Sequence, residues 1–223
     1  MIDENLVKFL IKNDVVRFGE FTLKSGRKSP YFYNARSLDS GSAVNIIGKV
    51  YAQMIKEKNL DFDVLFGPAY AGIPLVAATA LQLVTKYQIN KRFAYDRKEV
   101  KDYGDKKDEV IVGKINDEDK VLIVDDMITT GATKLESIKK INIVAPNAKI
   151  VGLLIVFDRE EVTDTGKSAV QQLEDNGIKV FSLLKARELF NYLHKREIDG
   201  KVYVDDNILK SFNEYYEKYG IKE

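Results

Sequence analysis

The chain has no cysteine, a single histidine and no long hydrophobic run, and each absence narrows its chemistry. Without cysteine there are no disulfides, zinc–thiolate sites or thiol nucleophiles. His194 alone cannot build a multi-histidine metal site and leaves little room for Ser-His-Asp chemistry. Any metal should therefore be a hard, oxygen-bound ion such as magnesium. No segment approaches the roughly 18 uninterrupted apolar residues of a membrane-spanning helix. The start, Met1-Ile2-Asp3-Glu4-Asn5, carries early acidic residues with no long apolar stretch after it, unlike a signal peptide. Lys plus Arg total 35 against 34 Asp plus Glu, so no basic excess argues for a nucleic-acid or membrane partner. Together these readings predict a cytoplasmic protein.

Hydrophobic residues at 45% and charged residues at 31% describe a globular chain of 223 residues, long enough to bury a substantial core. Short runs rich in Val, Ile and Leu recur, each followed by a turn and an amphipathic stretch. Phe62–Phe66 leads into Gly72–Tyr87, Val121–Val124 into Thr133–Ile141, and Ile150–Phe157 into Ser168–Asn176, which Gly177 is placed to stop. This alternation predicts an α/β fold with a mainly parallel central sheet flanked by helices, its strands buried on both faces. The N-terminal part differs. A helix near Glu4–Lys12 and strands at Phe18–Leu23 and Pro30–Asn34 predict a small hood, roughly residues 1–40, on a single domain. Helices near Ala186–Lys195 and Asp206–Tyr219 close the chain. His194 and the tyrosines 215, 216 and 219 are read as structural.

The most informative segment is Val121-Leu122-Ile123-Val124-Asp125-Asp126-Met127-Ile128-Thr129-Thr130-Gly131-Ala132-Thr133. An apolar strand ends at two carboxylates, then small hydroxylated residues and a glycine lead into a helix. Backbone amides at a helix start, with threonine hydroxyls beside them, suit a phosphate dianion. Paired carboxylates suit sugar hydroxyls and can hold magnesium through water. The loop thus fits a ligand with a phosphate at one end and a vicinal diol nearby. A P-loop hydrolase is the competitor, but its glycine-rich loop is absent; the nearest string, Glu161–Ser168, has Glu161 where the first glycine belongs.

This stretch closely resembles the phosphoribosyl pyrophosphate (PRPP) motif of type I phosphoribosyltransferases. The resemblance implies that Asp125 and Asp126 hold the ribose hydroxyls, that Thr129, Thr130, Gly131, Ala132 and Thr133 surround the 5′-phosphate, and that Met127 and Ile128 also belong to the PRPP site. Four further segments resemble the orotate phosphoribosyltransferase family. Phe18–Asn34, an aromatic hairpin with a basic turn, implies Lys24 near PRPP and orotate, with Phe32 and Tyr33 lining the base pocket. Phe66–Leu75 resembles the pyrophosphate loop, with a cis peptide joining Ala69 to Tyr70 and PRPP contacts at Tyr70 and Ala71. Ala71 stands where many members have Lys. Tyr95–Asp105 resembles the mobile catalytic loop, with Arg97, Lys98 and Lys101 on PRPP; Tyr103 stands where many have His. From composition alone, Asp96–Glu109, with five basic and six acidic residues, is a solvated, mobile loop. Phe157-Asp158-Arg159 implies Arg159 on the orotate carboxylate, a role suited to a guanidinium fork; read alone, Arg159 is a strand-end residue in a surface ion pair. By the resemblance Thr129 also borders orotate, and Lys101, Arg97, Asp125 and Asp126 carry catalysis with Mg2+. The family's loop closes over a neighbouring subunit, implying a homodimer. Two alternatives stay open: another base as substrate, or a PRPP-binding regulator that kept the fold without the chemistry.

Overall fold

The computed structural model describes residues 2–23, 25–98, 110–128 and 131–222. The Asp3 side chain accepts the amides of Asn5 and Leu6 and opens α1 (Glu4–Lys12). An antiparallel hairpin follows, β1 (Val16–Thr22) with β2 (Lys28–Tyr33), its register shifting between Phe18 and Phe21. Next comes α2 (Gly41–Glu57), capped by Ser40 on the Ala43 amide. The central sheet is built from β3 (Val64–Gly67), β4 (Arg92–Asp96), β5 (Ile111–Val112), β6 (Lys120–Val124), β7 (Lys149–Asp158) and β8 (Val180–Lys185), in the order β5-β4-β3-β6-β7-β8. Only the β4–β5 pair is antiparallel. The helices between and after these strands are α3 (Gly72–Tyr87), α4 (Ala132–Val144), α5 (Ala169–Asp175), α6 (Ala186–Leu193) and α7 (Asp206–Tyr219). A second small hairpin, β9 (Glu197–Ile198) with β10 (Lys201–Val202), separates the last two helices.

Alternate strand residues feed opposite cores, as a sheet covered on both faces requires. Leu65, Leu122, Val124, Leu154 and Val156 join the hood, α2, α6 and α7 on one side. Val64, Phe66, Val121, Ile123, Leu153 and Ile155 join Ile141, Ala169 and Leu173 on the other. The expected mainly parallel sheet with flanking helices and a small hood is therefore what forms. The helices expected at Glu4–Lys12, Gly72–Tyr87 and Asp206–Tyr219 have those bounds. Ser168 caps α5 in a reciprocal box with Gln171, and Gly177 follows its end.

Sequence reasoning passed over α2, which is rich in poor helix formers: Gly41, Ser42, Val44, Asn45 and Gly48. Its helicity comes from packing. A Cβ on Gly48 would lie 2.9 Å from the Ala78 backbone, so the glycine that weakens the helix also lets α2 sit against α3. The reading of Asp96–Glu109 as a solvated loop needs one correction. Tyr95 and Asp96 end strand β4, and Asp96 is buried, because its carboxylate is bonded from three sides.

Candidate active site

Four of the site segments leave the carboxyl edge of the parallel sheet, where α/β folds collect ligands. Loop 68–71 follows β3, the acidic pair follows β6, Arg159 follows β7 and Arg97 follows β4.

The loop after β3 is held very close to the start of α3. A Cβ on Gly67 would meet the Gly72 carbonyl oxygen at 2.3 Å, so only glycine permits this approach. The Ala69–Tyr70 peptide is cis, as the resemblance implied. The Ala69 amide donates to Asp96 at 2.5 Å. The Tyr70 side chain and Ala71 face solvent.

Asp125 and Asp126 are both buried. The Tyr51 hydroxyl donates to the Asp125 carbonyl at 2.6 Å, and the Val156 amide to the Asp126 carbonyl at 2.8 Å, so the pair is braced by α2 and β7. The two carboxylates would repel one another, and Lys134 lies between the demands they make. Its ammonium is 2.6 Å from Asp125 Oδ2 and donates to the Met127 carbonyl at 2.7 Å, with only 7% of the residue exposed. Sequence reasoning did not single out Lys134. Its signal was present, since a lysine one turn into the helix after an acidic pair can fold back onto it.

Burial, reinforced by the Asp125 charge, pushes the Asp126 carboxyl up to about 7 from an ordinary 3.8, while Lys134 and the Met127 amide pull it down. A carboxyl whose pKa is higher folded than unfolded favours the fold at low pH and loses that contribution as pH rises through the folded value. Asp126 is thus expected to lower stability by up to a few kcal/mol between about pH 4 and pH 7. Thermal unfolding of Asp126→Asn across that range should show a flatter pH dependence than the parent. An unchanged slope would reject this account.

Beyond the acidic pair, Met127 bridges to Phe157, Ile128 is buried and Gly131 adopts φ +77°. Ala132 and Thr133 begin α4, with no side chain capping its first turn. Thr129 and Thr130 lie outside the described residues, as do Lys24, Lys101 and Tyr103.

A cavity of about 630 Å³ opens beside this loop, lined by Leu23, Arg27, Phe32, Tyr33, Met127, Ile128 and Arg159 among others. Tyr33 stacks on Phe157 with centroids 5.3 Å apart and planes 8° apart. Its buried hydroxyl has no partner among the described residues, and burial together with the nearby acidic pair raises its pKa. Arg159 donates from Nε and Nη2 to Glu161 Oε1 at 2.9 and 2.6 Å, and its guanidinium lies 4.5 Å over the Tyr31 ring. Tyr31 donates to the same Glu161 oxygen at 3.0 Å, and the Tyr216 hydroxyl to the Arg159 carbonyl. Arg159 does form an ion pair, but in the cavity wall with each side chain 11% exposed rather than on the open surface. Arg27 reinforces the loop through the Val162 carbonyl at 3.2 Å. Arg97 begins the loop after β4 with its Nε buried and unpartnered among the described residues, and Lys98 is exposed.

The structure thus gathers Phe32, Tyr33, Met127, Ile128 and Arg159 around one cavity. The loop at 69–71 joins α4 through Asp96 rather than through that cavity.

Residues 37–184 match the family model described as Phosphoribosyl transferase domain. The chain is 41% identical over 219 residues to the orotate phosphoribosyltransferase of Agathobacter rectalis, covering 97% of this chain and 96% of that one. The crystal structure of orotate phosphoribosyltransferase from Francisella tularensis aligns with a TM-score of 0.83 at 38% identity, over 97% of this chain and 99% of that one. A UMP synthase structure from Leishmania donovani aligns with a TM-score of 0.66 at 27% identity, over 84% of this chain and 36% of that one. With the family model matched over most of the chain and near-complete coverage of the Agathobacter and Francisella relatives, the chain belongs to the orotate phosphoribosyltransferase family.

Proposed function

We propose that the chain transfers the phosphoribosyl group of PRPP to orotate, yielding orotidine 5′-monophosphate and pyrophosphate in pyrimidine biosynthesis in the cytoplasm. The observation that carries the base assignment is the cavity itself, where aromatic walls at Phe32 and Tyr33 meet the Arg159 guanidinium beside the acidic loop. A planar anion needs an apolar slot for its ring and a forked cation for its carboxylate.

In this reading the 5′-phosphate sits on Thr129–Thr133, the diol on Asp125 and Asp126, and the ring of orotate beside Phe32 and Tyr33. The bond from the anomeric carbon to pyrophosphate breaks as the orotate ring nitrogen bonds to that carbon and gives up its proton to the departing pyrophosphate or to solvent. Positive charge develops on the sugar and negative charge on the leaving group, so catalysis is positioning and electrostatics without a covalent enzyme intermediate. Lys24, Tyr70, Ala71, Arg97, Lys98 and Lys101 complete the PRPP contacts. Among the described residues no three His, Asp or Glu side chains converge on a metal site. In this reading magnesium is carried by the diphosphate and water rather than by a protein cage. The ion would neutralise leaving-group charge there. A homodimer whose loops are shared belongs to the same reading.

The deciding experiment follows PRPP- and magnesium-dependent loss of orotate absorbance with pyrophosphate release in parallel. Equal loss of orotate and gain of pyrophosphate is expected; PRPP binding without turnover overturns the proposal. Lys101→Ala should lower kcat at least roughly tenfold, the effect of removing a cation that meets charge only in the transition state. An unchanged kcat would remove Lys101 from the mechanism.

A further inference from the structure

Asp96 ends β4 with 3% of its surface exposed, and the chemistry outlined above does not use it. Its carboxylate ties three segments together. Oδ1 accepts the Ala69 amide at 2.5 Å, in the loop after β3. Oδ2 accepts Ser137 Oγ and Lys140 Nζ, each at 3.1 Å. Ser137 and Lys140 lie three residues apart on α4, the spacing that puts two side chains on one helix face. Lys140 then donates to the Arg97 carbonyl at 2.8 Å, at the root of the loop that follows β4. A carboxylate buried this deeply is costly unless every oxygen is bonded and a cation is near, and here both conditions are met.

The partners share one property. Ala69 lies in the loop assigned to pyrophosphate, Ser137 and Lys140 stand on the helix that follows the 5′-phosphate loop, and Arg97 starts the cationic loop. None of them lines the cavity assigned to the base. PRPP carries its phosphate and its diphosphate at opposite ends of one sugar. The protein must therefore hold two anion-binding segments at a set separation before the ligand can reach both.

We propose that Asp96 and Lys140 form a positioning junction that sets the spacing between the pyrophosphate loop and the phosphate-loop helix, and so governs affinity for PRPP but not for the base. The assignment rests on the phosphoribosyl-transfer reading. Asp96 and Lys140 act through the loops and need not touch substrate.

The test uses Asp96→Asn, Lys140→Met and Lys140→Arg in the full chain. PRPP affinity is measured by calorimetry with magnesium and no base, and KM for PRPP and for orotate by turnover. Asp96→Asn keeps an acceptor for the Ala69 amide but removes the charge that holds Lys140. Both Asp96→Asn and Lys140→Met should weaken PRPP binding roughly tenfold or more, since misplacement of a binding segment by about 1 Å carries losses of that order. KM for orotate should stay within about threefold, and Lys140→Arg should recover most of the PRPP affinity. Equal rises in both KM values in step with a fall in Tm mark a merely structural role and overturn the proposal. PRPP affinity unchanged in a folded variant overturns it as well. If Asp96→Asn does not fold, Ser137→Ala, which removes one hydroxyl donor, must still weaken PRPP binding selectively, and no change refutes the junction. Calorimetry separates the two readings. A parent protein that binds PRPP without turning over orotate sinks the reaction but leaves the junction open to this test, whereas one that does not bind PRPP sinks both.

Discussion

Arg159→Lys is expected to raise KM for orotate about 10- to 100-fold while leaving KM for PRPP within about threefold. The magnitude follows from what the guanidinium does at once. Glu161 takes Nε and Nη2, and under the proposed function the remaining edge meets the substrate carboxylate. An ammonium keeps the charge but loses the planar fork and the stacked contact with Tyr31. Lysine at 159 also leaves Glu161 facing an incoming anion with weaker compensation, and a charge-assisted hydrogen bond is worth roughly 1.5–3 kcal/mol. Steady-state kinetics with each substrate varied in turn is the check. A parallel rise in both KM values would show that the variant had disturbed the whole loop rather than base recognition.

Lys134→Met should produce the largest loss of stability. It removes the cation from a buried pair, leaving Asp125 uncompensated beside Asp126, and breaking a buried ion pair on one side costs about 3–5 kcal/mol. For a chain of this size that corresponds to a fall in Tm of roughly 6–20 °C near neutral pH. Lys134 pulls the Asp126 carboxyl down, so the variant protonates that group at a higher pH than the parent does, and the deficit should shrink as pH falls toward about 7. Adding Asp125→Asn to the variant should restore a large part of the lost stability, since the orphaned charge is gone. Calorimetric unfolding of the parent, the two single variants and the double variant measures the coupling directly. Additive losses would mean that the 2.6 Å contact contributes nothing to the folded state.

Comparison of sequence and structure separates two kinds of information. The strand runs at Val121–Val124 and Ile150–Phe157 were legible because burial on both faces leaves an apolar string with no gaps. The helix Asp206–Tyr219 was legible because one face of it is buried and Asp205 caps its start. The loop after β6 stood out as a candidate site because strand, acidic pair, hydroxyls and glycine are consecutive in the chain. By contrast α2 was not legible, since its helicity comes from packing on α3 and not from its own residues. Nor was the edge strand β5, which is two residues long.

The sequence by itself therefore determined the α/β class, the N-terminal hairpin, the order of the candidate binding segments and the residue types each one offers. These are properties written into neighbouring positions, where periodicity and turn chemistry act. Only the tertiary structure decided which charges compensate one another. Asp96 meets Ala69 and Lys140 across 27 and 44 positions, and Arg159 is held by Tyr216 across 57. Such partners leave no local pattern, because their proximity is set by the sheet order and by the helices packed on its two faces.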